Sequence, residues 1–277
     1  GWSRYIYWLE GDRAIRFVPL EGPGRVGAVR SVDAPWPKVD LVSVGITDPE
    51  GGMHVPVWVP APRGPKGEIK ILSWYEREIP RFRSVVGLKQ PVEQATTAID
   101  GAGNLRLVLL HDGNLDLYTL DTTKGNQLPA NGKRLQAASA EGAGEILAMR
   151  LDTMPTHGDV KGGQGLFVLE RVTVDGASVV RGRWISYDGR SLVAQEPLGD
   201  LTGFTVREIL PMGATELAAL LEGPDGKVHV ISSGGTPRPL GLPGTSAHLI
   251  ADTQGRVWAR TFVDNTVVKH KLIADGG

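Results

Sequence analysis

The stretch Leu105–Leu120 reads Leu-Arg-Leu-Val-Leu-Leu-His-Asp-Gly-Asn-Leu-Asp-Leu-Tyr-Thr-Leu, and it decides the fold class. Two apolar runs flank the pair Asp112-Gly113, and Asp-Gly supplies the positive φ angles that a tight hairpin turn requires. In the second run, Asp116 and Thr119 interrupt a row of leucines and point largely away from the apolar face. The sequence therefore predicts an antiparallel hairpin of two short strands.

Similar units recur along the chain. Further hairpins are predicted for Tyr5–Leu9 with Ala14–Val18, Leu217–Leu221 with Val228–Ile231, and Val257–Val263 with Val267–Ile273. Turns that follow an earlier strand start at positions 48, 100, 152, 212 and 252, so successive starts are 52, 52, 60 and 40 residues apart. A fourth strand is predicted after several hairpins, at Arg81–Val86, Ser191–Gln195 and Arg238–Leu240. This is the period of a propeller blade with four strands and their loops.

We therefore predict an all-β chain: a β-propeller of about six (five to seven) four-stranded antiparallel blades, forming a single domain over residues 1–277. Five units account for residues 39–277, and residues 1–33 either complete the last unit or form a partial sixth blade. Residues 134–152 have weak helical periodicity, but Gly142 and Gly144 interrupt it and favour a turn followed by a strand. A β-sandwich or two smaller β domains are the alternatives.

Composition excludes several classes of function. The 277 residues include no Cys, which rules out disulfides, a thiol nucleophile, zinc–thiolate sites and iron–sulfur clusters. The chain has 30 Lys and Arg against 31 Asp and Glu, a net charge of −1. It therefore lacks the positive electrostatic field that attracts phosphate groups, and no nucleic-acid partner is expected. The longest apolar runs fall far short of the roughly 20 residues that span a bilayer, so no transmembrane segment is expected.

Motifs that carry chemistry are weak. Gly22–Gly27 fits G-x-G-x-x-G, but residues 28–32 read as a strand where a dinucleotide site needs a helix. Residues Asp152–Asp159 include His157, yet loop aspartates more often cap turns than bind metal, and we assign no metal site. Residues 117–125 resemble one strand and turn of the quinoprotein-type propeller repeat. They lack its Thr-Gly pair and trailing Trp, so no cofactor is expected.

One segment has the composition of an interface. Residues 74–83 read Trp-Tyr-Glu-Arg-Glu-Ile-Pro-Arg-Phe-Arg, and aromatic residues mixed with Arg bury area while keeping a polar end. The candidate binding residues in this segment are Trp74, Tyr75, Arg77, Arg81 and Arg83. The alternative is an aromatic pair packed in the core, with solvated charges around it.

These observations predict a non-enzymatic propeller that serves protein–protein interaction as a scaffold. The alternative is a propeller that binds a glycan or small ligand, or hydrolyses one, at the axial mouth where loops converge. Three or more polar groups from different units in one pocket would favour that alternative. Because the chain starts at Gly1 rather than Met, we expect it to be the soluble, extracytoplasmic part of a larger bacterial protein.

Overall fold

The computed structural model describes residues 5–22, 25–43, 45–75, 78–122, 131–136, 144–154, 162–194, 197–199, 201–213, 216–243, 248–251, 257–263 and 266–271. Within those ranges every regular element is a β-strand, and no helix there has the length and apolarity to cross a membrane. Contacts divide the chain into two compact units, Gly1–Ala138 and Ser139–Gly277. The expectation of a single domain stays a prediction.

The first unit contains three antiparallel sheets. Sheet 1 holds β1 (Tyr5–Glu10), β2 (Ala14–Gly22), β3 (Arg25–Val26) and β4 (Arg30–Asp33), with β2 pairing to the other three. Sheet 2 holds β5 (Asp40–Leu41), β6 (Ile46–Thr47), β7 (Met53–Pro60), β8 (Gly67–Trp74) and β9 (Arg81–Leu88). Sheet 3 holds β10 (Gln94–Ile99), β11 (Leu105–His111), β12 (Asn114–Leu120) and β13 (Asn131–Gln136).

The second unit also contains three antiparallel sheets. Sheet 4 holds β14 (Glu145–Met154), β15 (Gly163–Val174), β16 (Ala177–Ser186) and β17 (Ser191–Ala194). Sheet 5 holds β18 (Thr205–Met212), β19 (Glu216–Glu222), β20 (Lys227–Ser232) and β21 (Arg238–Pro243). Sheet 6 holds β22 (His248–Ala251), β23 (Val257–Val263) and β24 (Thr266–Lys271).

The fold is a β-propeller, as predicted, and its blades are meander sheets. In the described residues, sheets 3 to 6 are meanders of consecutive strands, and in sheet 2 the strands β5 and β6 both pair with β7, which continues to β8 and β9. The number of sheets lies within the predicted five to seven. Residues 5–33 form a sheet of their own and pack against sheet 2. The hairpin of β11 and β12 turns at Asp112 and Gly113, whose φ angles of 49° and 68° are both positive, as a type I′ turn requires.

One turn prediction is wrong and one lies outside the described residues. We expected a turn to start at Asp152, but β14 continues to Met154, and Asp152 pairs with Gly165 across the sheet. Its carboxylate accepts a hydrogen bond from Arg150 Nε at 2.9 Å, which suits a strand position. The turn expected to start at position 252 falls outside the described ranges.

Apolar side chains between neighbouring sheets form the core. Phe17 of sheet 1 packs in one cluster with Val55 of sheet 2, and Ile71 of sheet 2 packs in another with Leu107 of sheet 3. Sheet 2 therefore buries both of its faces, and the first seven residues of β7 are all buried. A sheet covered on both sides leaves little room for polar groups, so the polar side chains that it does bury need partners within it.

Candidate functional site

A tight turn at the end of β6 holds the first residue of the candidate site, Asp48. Its backbone N–H donates to Gly52 O at 2.9 Å, and its carboxylate Oδ1 accepts from Gly52 N–H at 2.8 Å. Gly51, at φ 90°, takes the conformation that favours glycine. Gly52 is required for a different reason, because a Cβ there would lie 2.2 Å from the Tyr75 ring. The turn thus fixes the carboxylate of Asp48 against the sheet.

Strands β7 and β8 bring His54 and Ser73 opposite each other in the ladder. His54 Nδ1 lies 2.9 Å from Ser73 Oγ, and His54 Nε2 lies 2.9 Å from Asp48 Oδ2. Tyr75, which follows β8, donates its hydroxyl proton to the same Asp48 Oδ2 at 2.7 Å. Asp48, His54 and Ser73 are all buried, with 5%, 2% and 4% of their surface exposed. These four side chains, called here the Asp48 network, form one hydrogen-bonded chain within sheet 2.

The charge on Asp48 determines the proton positions in this network. Burial by itself would raise the pKa of Asp48, but hydrogen bonds from His54, Tyr75 and Gly52 outweigh it and lower the pKa to about 2. Burial, together with the hydrogen bond to Asp48, raises the pKa of Tyr75, whose hydroxyl therefore stays a donor. An ionised carboxylate only accepts hydrogen bonds, so in neutral His54 the proton is on Nε2 and Nδ1 accepts from Ser73.

Sheet 3 repeats this arrangement with one change. Asp100 starts the turn after β10, and its Oδ2 accepts from Arg106 Nε at 2.9 Å. Arg106 also donates through Nη1 to Thr119 on the neighbouring strand β12. Arg106 lies six residues after Asp100, as His54 lies six residues after Asp48. In both sheets, a turn aspartate is therefore linked through a nitrogen-bearing side chain to a hydroxyl on the next strand.

A small cavity between sheets 2 and 3 borders the Asp48 network. Its volume is about 10 Å³, which is room for about one water molecule. Sheet 2 contributes His54, Ser73 and Arg83 to the lining. Sheet 3 contributes Leu105 and Leu120, and Thr122 lies just after β12. Residues of sheets 2 and 3 thus line one small, mostly apolar space beside the Asp48 network.

The candidate binding residues predicted from the sequence divide between core and surface. Trp74 is 7% exposed and packs against Phe17, with ring centroids 4.9 Å apart, and against Tyr5 at 5.9 Å. The Arg30 guanidinium lies over the Trp74 ring, 5.0 Å from its centroid. Trp74 therefore presents little of its ring to a partner. Trp74 therefore matches the alternative given above, an aromatic residue packed in the core.

The other four candidates lie around the connection from β8 to β9. Tyr75 is half-buried in the Asp48 network, and Arg77 falls outside the described residues. Arg81 starts β9 and is exposed, whereas Arg83, two residues on, is partly buried and lines the cavity. The structure thus brings Tyr75 and Arg83 towards one site and leaves Arg81 on the surface.

No local pattern predicted Asp48, His54 and Ser73 as a group; the sequence predicts only the turn that starts at position 48. The missing information is the register that places residue 73 opposite residue 54 across the loop between β7 and β8. The matching interval from Asp48 to His54 and from Asp100 to Arg106 is the sequence signal that would have indicated a repeated network. In the described part of the chain, no group of three or more potential metal ligands occurs, and His157 and Asp159 lie outside that part.

No protein-family model and no curated protein matches this chain. Among solved structures, the chain is similar to a protein of unknown function from Bacteroides caccae, with 12% sequence identity, a TM-score of 0.45, and coverage of 95% of this chain and 84% of that one. It is also similar to a puromycin hydrolase S511A mutant complexed with PGG, with 16% identity, a TM-score of 0.42 and coverage of 89% of this chain. A second puromycin hydrolase structure gives 16% identity and a TM-score of 0.40. The chain spans 37% of the length of either hydrolase chain. At these TM-scores the similarities carry no argument about function.

Proposed function

We propose that this chain is a protein-binding propeller module, and that the connection between β8 and β9 contacts the partner. The described surface of that connection consists of Glu78, Ile79, Pro80 and Arg81, called here the contact turn. The single observation that carries the proposal is Ile79, whose surface is 80% exposed and which follows Glu78 and precedes Pro80 and Arg81. When a partner covers a large apolar side chain that was exposed to water, the free energy of the complex is lowered.

Both ends of the contact turn are firmly held, which separates Ile79 from an ordinary exposed apolar residue. Before the turn, Trp74 is in the core, Tyr75 is bonded to Asp48, and Glu78 N–H donates to Tyr75 O at 3.0 Å. After the turn, Phe82 packs edge-on against Trp36, with ring centroids 5.1 Å apart. A preorganised loop loses less conformational entropy on binding than a flexible one. An apolar centre between Glu78 and Arg81 also has the polar surroundings typical of protein interfaces.

Site-specific photocrosslinking tests this proposal. A photoreactive amino acid replaces Ile79 in one variant and Val174 in a control; Val174 is also an exposed apolar residue, 45% exposed, on another hairpin. In extract of the source organism, we expect a discrete crosslinked protein from position 79 that position 174 does not give. With the purified partner, Ile79→Asp should weaken binding about tenfold or more, since loss of an anchor residue costs more than about 1.4 kcal/mol.

Two results would contradict the proposal. One is the same set of crosslinked proteins from positions 79 and 174, which indicates non-specific adhesion. The other is a partner whose affinity is unchanged in Ile79→Asp. The alternative function, a glycan or small-ligand site at the axial mouth, stays a prediction. It calls for polar groups from different sheets in one pocket, whereas the hydrogen bonds that Asp48 makes with His54 and Asp100 makes with Arg106 each lie within one sheet.

A further inference from the structure

Strand β9, which follows the contact turn, forms an open edge of sheet 2. Among the described strands it pairs only with β8, so the backbone N–H and C=O groups along its other edge have no described strand beside them. Its side chains are correspondingly open to solvent, since Leu88 is the one buried residue of the eight in β9. An exposed strand edge is a template on which a strand of another chain can form.

The outer strands of sheets 3 to 5 are less suited to this role. Strand β13 has six residues and β17 only four, and β21 contains Pro239 and Pro243, which have no backbone N–H to donate. Short edge strands and prolines discourage pairing with another chain, whereas β9 has eight residues and no proline. Its register against β8 shifts only between Ser84 and Val86, so the stretch next to the contact turn is regular.

The charge of this edge selects the kind of strand that can pair with it. Residues 78–89 include three cations, Arg81, Arg83 and Lys89, against one anion, Glu78, although the whole chain has a net charge of −1. Arg81 and Arg83 are two residues apart and therefore lie on the same face of β9. Across a strand pair, like charges that lie opposite each other destabilise the pairing and opposite charges stabilise it. Pairing with β9 of a second copy is thus disfavoured, and acidic side chains at alternate positions are favoured.

We propose that the partner of the contact turn contributes an extended acidic segment that pairs with the open edge of β9. Acidic side chains at two alternate positions of that segment lie beside Arg81 and Arg83, and an apolar side chain of the partner covers Ile79. In this mode of recognition, main-chain hydrogen bonds supply affinity and the alternating side chains supply selectivity. This partner class is assigned to the site proposed above and therefore rests on the proposed function.

Amide hydrogen–deuterium exchange on the full chain tests the proposal. The probe is a peptide of alternating Val and Glu with blocked termini, about ten residues long, which is the length of a long strand. With this peptide in excess, we expect exchange in β9 to slow about fivefold or more, because new main-chain hydrogen bonds protect its amides. Exchange in β21, the outer strand of sheet 5, should stay unchanged. A peptide of alternating Val and Lys should protect neither strand.

Two matched variants test the role of charge. Arg81→Glu reverses the charge at the exposed start of β9, and Arg238→Glu makes the same change at the exposed start of β21. We expect the dissociation constant of the Val–Glu peptide, measured by fluorescence anisotropy, to rise about fivefold in Arg81→Glu and to keep its wild-type value in Arg238→Glu.

Three results overturn the proposal: equal dissociation constants in the two variants, equal protection of β9 by the Val–Lys peptide, or unchanged exchange in β9 with the Val–Glu peptide at up to about 1 mM. If position 79 gives a discrete crosslinked protein but the Val–Glu peptide leaves β9 unprotected, the proposed function stands and the acidic strand is wrong. If β9 is protected but positions 79 and 174 give the same crosslinked proteins, the proposed function is contradicted instead.

Discussion

At the scale of single residues, Asp48 shows how one buried charge is retained in an apolar sheet. Its two carboxylate oxygens accept from Gly52 N–H, His54 Nε2 and the Tyr75 hydroxyl. Three donors replace the water that burial removes, and a carboxylate so bonded prefers its ionised form. The same contacts tie together the turn after β6 and the strands β7 and β8. Asp48 therefore affects both the stability of the fold and the tautomer that neutral His54 adopts.

The lowered pKa of Asp48 predicts an acid-sensitive fold. The pKa is about 2 in the folded chain against an ordinary value of 3.8, so the folded state favours the ionised form. The stabilisation is fully present above the unfolded pKa and is lost as the pH falls from about 4 towards 2. Its size is on the order of 2 kcal/mol.

Chemical denaturation across this pH range checks that prediction. Asp48→Asn should lower the free energy of unfolding at pH 7 and reduce its fall between pH 4 and 2. The control Asp33→Asn changes an exposed aspartate on β4 and should keep the wild-type pH dependence. If the free energy of unfolding fell equally between pH 4 and 2 in the wild type and in Asp48→Asn, the role given to Asp48 would be contradicted.

At the scale of elements, the end of β8 and the start of β9 separate packing from exposure within ten residues. Trp74 ends β8 and faces the cluster between sheets 1 and 2. Arg81 starts β9 and faces solvent. Both faces of β8 are covered, so its last residues are all buried, whereas β9 is the edge strand of sheet 2 and its first residue is exposed. Composition alone does not reveal which aromatic residue packs inside.

Alanine substitution distinguishes the two environments. Trp74→Ala should lower the free energy of unfolding by about 3–5 kcal/mol, because it removes a large buried ring and leaves a cavity. Arg81→Ala should change it by less than about 0.5 kcal/mol, as is usual for exposed positions. Urea denaturation measures both. A Trp74→Ala variant as stable as Arg81→Ala would place the Trp74 ring at the surface instead.

At the scale of the whole molecule, acidic and basic residues nearly cancel. Several are ion pairs across neighbouring strands, such as Arg16 with Glu10 at 2.6 Å and Arg171 with Glu145 at 2.5 Å. Exposed pairs of this kind add little stability. A chain with a net charge of −1 has no long-range attraction for polyanions.

This charge balance predicts no nucleic-acid binding at physiological salt. Fluorescence anisotropy with a labelled 20-base-pair duplex should show no saturable binding up to about 100 μM protein at 150 mM salt. A histone-like basic protein serves as the positive control. Binding that weakens linearly on a log–log plot against salt concentration would contradict the prediction and reveal a local basic surface.

Local chemistry made the hairpins and the blade period predictable. Asp112-Gly113 specifies its turn by backbone preference alone, and the strands on either side follow from runs of apolar residues. The short segments predicted to form a fourth strand after three of the hairpins do so, at β9, β17 and β21. The turn predicted to start at Asp152 was wrong, because an aspartate that is hydrogen-bonded to a nearby arginine can be accommodated within a strand.

The sequence by itself determined the all-β class, the repeated meander and the absence of cysteine chemistry, because these depend on composition and short-range pattern. Only the tertiary structure decided that Ser73 lies opposite His54, since strand register depends on how the whole sheet pairs. It also decided that Trp74 is buried, because both faces of sheet 2 are covered by neighbours. The candidate site is made of contacts between residues far apart in the chain, and no local pattern encodes their distances.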